Sequence, residues 1–209
     1  MSRRLLMLGA SAGPLYIVLG LVQALLREGF DPRRHALSIL ANGELGWIQV
    51  ANFLVSGALV VAGAVGARRA LRGQAAGLWG PILLGLYGVG MLGAGIFRAD
   101  PAQGFPPGAE ISNELTRSGL LHFVFGAIAF YALIAACFVF ARRFLRTGRR
   151  GLALYAIVTG VGFFVSFAAI ASGSTSAVTM LAFYVAIAWV WVWHTHLHLH
   201  LRERFDRRT

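Results

Sequence analysis

Residues 119–141 read GLLHFVFGAIAFYALIAACFVFA, and Arg142-Arg143 follow at once. The run carries no Asp, Glu, Lys or Arg and is apolar on every face. About 20 such residues, rising about 1.5 Å each, cross a hydrocarbon layer of about 30 Å as a helix. A barrel strand would alternate polar and apolar residues over about ten positions, and this run does not. Five further runs share its character, near residues 5–26, 48–67, 77–97, 152–172 and 177–194. The fold class expected is therefore all-α: a polytopic transmembrane bundle of six helices in one domain over residues 1–209, with 195–209 as a basic cytoplasmic tail.

Composition agrees. Hydrophobic residues make up 57% of the 209 and charged residues 13%, against about half and about a quarter in soluble domains. That apolar surplus excludes a water-soluble monomer. One cysteine, Cys137, excludes a disulfide framework and a thiolate cluster. The first run follows Ser2-Arg3-Arg4, as a secretory signal would. Small residues from Gly9 to Gly13 precede most of it, however, and Arg27-Glu28 follow without a cleavage site. It is read as a retained span that Pro14 bends.

The net charge of +11 comes from arginine alone. With the N-terminus inside, fourteen of the nineteen arginines are cytoplasmic: Arg3 and Arg4, Arg68, Arg69 and Arg72, the five between Arg142 and Arg150, and the four from Arg202 to Arg208. Six of the eight acids fall on the opposite side. This asymmetry predicts cytoplasmic termini and a multi-pass protein of the inner or plasma membrane. It also excludes nucleic acid as a partner, because the positive charge is divided among four separate pieces.

Ala67-Arg68-Arg69-Ala70-Leu71-Arg72 recurs as Ala141-Arg142-Arg143-Phe144-Leu145-Arg146, with Ser38 and Ser112 at the same offset. The echo reads either as a duplicated two-helix hairpin or as two ordinary inner boundaries in an arginine-only chain. Seven glycines from Gly77 to Gly95 make the third span a small-residue helix. Small residues let backbones approach closely, so this span is expected at the centre, or against a membrane-protein partner. Trp189, Trp191 and Trp193 are expected where the sixth span meets the inner headgroups.

The chemistry-bearing residues gather in two outer loops. Asp31 and His35 lie in the first, Asp100 and Thr116 in the second, with Asn52 and His122 about one turn inside their spans. An ionisable group inside a span needs a partner, and Asp100 is the expected partner of His122. Asp31-Pro32 through Ser38-Ile39-Leu40 to Asn52-Phe53, the turn Gly95-Ile96-Phe97-Arg98-Ala99-Asp100-Pro101, and Thr116 through Gly119 to His122 together resemble the bacterial and archaeal membrane proteins grouped as domain of unknown function 998. The resemblance runs from the first span to the sixth. It implies six spans and an outward polar pocket, and no reaction.

Three functions stay open on these residues. Asp100, His122, His35, Asn52, Asp31 and Thr116 form a ligand set for a lipid headgroup or other small amphiphile, with membrane lipid as the partner. Alternatively His122 and Asp100 act as base and orienter, with Glu110 or Glu114 as acid, in a lipid-modifying or metal-dependent hydrolase at the outer leaflet. The third is an accessory subunit without chemistry, docking through span three. His194/His198 and His196/His200 stand at i, i+4, a weak metal spacing on an interfacial helix. Phosphate-cradling loops and nucleophile elbows are absent from the sequence, so no cofactor is expected.

Overall fold

In the computed structural model, which describes residues 1–110 and 114–206, every expected run forms a helix. The six are α1 (Ser2–Leu26), α2 (Gly46–Ala70), α3 (Trp79–Ile96), α4 (Arg117–Arg146), α5 (Arg150–Ala171) and α6 (Ala177–Asp206). All six are long and apolar enough to cross a membrane, as in a multi-pass membrane protein. Hydrocarbon offers no hydrogen-bonding solvent, so a span must satisfy its backbone internally. Among the described residues the only β pairing is one isolated bridge, Ala102 with Phe105. Ser112, Arg207 and Arg208 lie outside the described residues.

Each helix packs against its neighbours in sequence, and α6 returns to α1, so the six make a closed ring. An even number of spans puts both ends of the ring's chain at one face, the arginine end. The loops 27–45 and 97–116 cover the other, the loop end. α3 is the most buried of the six, and its glycines face inward. A Cβ on Gly88 would stand 2.8 Å from the carbonyl oxygen of Gly57, and one on Gly93 would stand 2.2 Å from the Phe125 ring. These contacts consume the small-residue faces within the ring, against α2 and α4.

One expectation about the last span is corrected: α6 does not stop near His194 but continues as one helix to Asp206. Trp191 and Trp193 are mid-helix and buried, and Trp189 is exposed. The helix stays in the bundle, with Leu197 and Leu201 buried and His198 packed against Gly9 of α1 and Gly63 of α2. The sequence echo, too, sits in unequal surroundings. Arg143 is buried and donates to the Ala75 carbonyl and to Gln74 Oε1, whereas its counterpart Arg69 is exposed. Leu71 is buried and Leu145 exposed, which suits two ordinary boundaries better than a duplicated hairpin.

Candidate functional site

The two loops bind each other. The Asp31 amide donates to His35 Nδ1 at 2.9 Å, which leaves Nε2 to donate to the Gln103 carbonyl at 3.1 Å. Tyr184 of α6 donates to the His35 carbonyl at 2.8 Å. Arg27 donates to the carbonyls of Leu40 and Asn42 and lies over the Phe105 ring, 5.3 Å from its centroid. Asn42 donates to the Ala99 carbonyl. Phe105, 1% exposed, is the apolar centre of this cap. The Asp31 carboxylate accepts from the Arg33 side chain and then the Arg33 amide, and these bonds hold its pKa below the ordinary value.

Asp100 is not the partner of His122. Its carboxylate accepts from the Thr116 amide at 2.9 Å and from the Thr116 hydroxyl, and Thr116 in turn accepts from the Gly119 amide as the N-cap of α4. His122 Nδ1 instead faces the Ala94 carbonyl at 3.0 Å and the Phe97 carbonyl at 2.9 Å. The last carbonyls of a helix lack intrahelical donors. The end of α3 therefore offers acceptors that outcompete a carboxylate three residues beyond Phe97 and already engaged.

Asn52 belongs to a third, separate set. It donates to the Tyr16 carbonyl and to Gln49 Oε1, which also accepts from Gln23, while Ser56 donates to Asn52 Oδ1. These buried amides fasten α1 to α2. Gln23, Gln49 and Ser56 escaped the sequence reading, although amides inside an apolar span were the signal available.

Of the six expected ligand residues, only His122 lines a cavity. That cavity, about 550 Å³, lies inside the ring towards the loop end. Its walls are apolar and rich in rings, among them Phe53, Phe130, Phe163, Phe167 and Phe183. Phe130 meets Phe163 and Phe167 edge-on, with centroids 5.0 Å away in each case. Trp191 and Tyr87 make the floor, their rings 5.4 Å apart, and Ala36, Leu37 and Ser38 roof it. The space exists because small residues, Gly90 and Ala94 on α3 and Gly126 and Ala127 on α4, stand where the rings converge.

Four of the lining residues are exposed, and all four lie on the loop-end halves of α4 and α5 or just beyond α5. Phe123 is 57% and Tyr131 56% exposed, and Ala171 and Gly173 are exposed as well. The exposed part of the lining thus lies on α4 and at the end of α5.

The profile of the family described as "Protein of unknown function (DUF998)" matches residues 10–200. The chain belongs to that family. No curated protein and no solved structure matches it. The DUF998 match contains every residue that lines the cavity, from Tyr16 to Trp191, and the loop contacts that roof it.

The histidines of α6 fall in the same DUF998 region. His194 and His198 are fully buried, with ring centroids 4.3 Å apart. Among the described residues no group of three His, Cys, Asp or Glu side chains is placed to hold a metal. The interfacial placement expected for this run is corrected: His198 packs against Gly9 and Gly63 inside the bundle.

Proposed function

We propose that the chain holds a lipid-like amphiphile in the ring cavity, admitted from the membrane between α4 and α5. The reading is supported by an apolar, ring-lined space of about 550 Å³ whose exposed lining residues lie on α4 and at the end of α5. Ligand sites of this kind are typically about 300–1,000 Å³ and mostly apolar. Walls so apolar favour an apolar occupant over water. The hydrolase reading loses its orienting acid, since Asp100 is committed to Thr116 and no carboxylate lines the cavity.

Gly126 tests the reading. A Cβ built there meets nothing within 4 Å, and the residue lines the cavity. Gly126→Phe is expected to fill the space without unseating a helix. Protein extracted from membranes should carry co-purifying lipid detectable by mass spectrometry, and the Gly126→Phe protein should lose it at an undiminished melting temperature. Equal lipid in both proteins would refute the proposal.

The arginine asymmetry supports cytoplasmic termini and a mouth in the outer leaflet of the plasma membrane. Cys137 is buried, so introduced cysteines can be read against a low background. On intact cells an impermeant maleimide should label Thr175→Cys and spare Arg72→Cys, both at exposed positions. The reverse pattern would invert the topology.

A further inference from the structure

The cavity also carries information about the polar end of its occupant. His122 is 6% exposed and sits in the wall. Both groups near its Nδ1 are carbonyl oxygens, which only accept, so Nδ1 carries a proton, and the tautomer with its one proton there presents a lone pair at Nε2. Nε2 makes no hydrogen bond among the described residues, and it lies on the ring edge away from α3. The Ser38 and Tyr87 hydroxyls also line the cavity without partners among the described residues. Among the described residues no Asp, Glu, Lys or Arg lines it.

Charge in such a place is strongly disfavoured, since an unpaired ion taken out of water loses its solvation with nothing in return. A neutral donor is favoured, because it pairs with an acceptor for which the described residues offer no hydrogen bond. The depth fits as well. His122 lies five residues into α4, about 7 Å below its start, with the ring-lined space continuing to Trp191. We propose that the cavity selects an uncharged amphiphile whose polar end is a hydroxyl, an alcohol or phenol, with His122 Nε2 as the acceptor and the apolar tail running towards Trp191. This rests on the lipid-binding reading above and narrows it.

The test uses the full chain in detergent and three probes with bromine at the tail end, a quencher for the indole on the cavity floor: 16-bromohexadecanol, its methyl ether, and 16-bromohexadecanoic acid at pH 8. Trp191→Phe identifies the Trp191 share of the quenching. The alcohol is expected to bind about tenfold more tightly than the ether, and the ionised acid weakest of all. In His122→Phe the alcohol and the ether should bind alike. If that variant does not fold, the ranking in the unaltered protein still decides. Ether or acid binding as well as the alcohol, or a preference that survives in folded His122→Phe, overturns the hydroxyl assignment and leaves the lipid-binding reading standing. Quenching by none of the three overturns both.

Discussion

Gly119→Ala is expected to lower the stability of the fold by about 2–4 kcal/mol, combining overpacking with a weakened helix cap. An added Cβ at that position would overlap Asp100 Oδ2. The carboxylate would have to leave the bond it accepts from the Thr116 amide. Thr116 would then lose the group that holds it over the first turn of α4, where it accepts from the Gly119 amide at 3.0 Å. Charge-assisted bonds of this type are about twice as strong as neutral ones. Ser118, which donates to the Arg98 carbonyl, and His122, which holds the end of α3, stand on the same seam. A thermal melt in detergent is the measurement. A curve superimposable on that of the unaltered protein would show that the carboxylate does not pack on Gly119.

Gly63→Leu is expected to have the largest effect of any single change at the arginine end. A Cβ on Gly63 would stand 2.6 Å from the Gly9 Cα and 2.6 Å from His198 Nε2. Backbone on one side and a fully buried ring on the other leave no direction in which a side chain can yield. Alanine alone should cost about 1–3 kcal/mol, and leucine should part α1, α2 and α6 and leave no folded monomer. Gly162→Ala is the control, because a Cβ there meets nothing within 4 Å. That change should be neutral or stabilising by up to about 1 kcal/mol. Size-exclusion profiles and melts of the three variants decide it, and a folded, monodisperse Gly63→Leu protein would refute the close packing.

The spans were legible because hydropathy and arginine placement report on solvent, residue by residue, and lipid is the solvent here. α3 was legible as a central helix for a related reason: glycine at Gly88, Gly90 and Gly93 records close approach directly. The end of α6 was misread. The run His194–His200 looks polar in one dimension, but His194 and His198 face inward and only Arg202 onward brings charge. The partner of His122 was illegible for a different reason. Ala94 and Phe97 offer backbone carbonyls, and a backbone acceptor has no residue type to advertise it. Nor does a cavity: it is volume left between Gly126, Ala127 and rings from several helices, and no single position encodes it.

The seam between α1 and α6 joins the first of the six helices to the sixth. Across it Thr195 donates to the Ala10 carbonyl, and Gly13 lies against the Trp191 carbonyl and ring. Until Ala177 onward has been synthesised and inserted, that flank of α1 can face only lipid, and the assembly is a crescent rather than a ring. A premature stop before α6 removes Phe183, Ile187 and Trp191 from the cavity together. The chamber is therefore completed only when α6 takes its place, and a product truncated before α6 is left with an open trough.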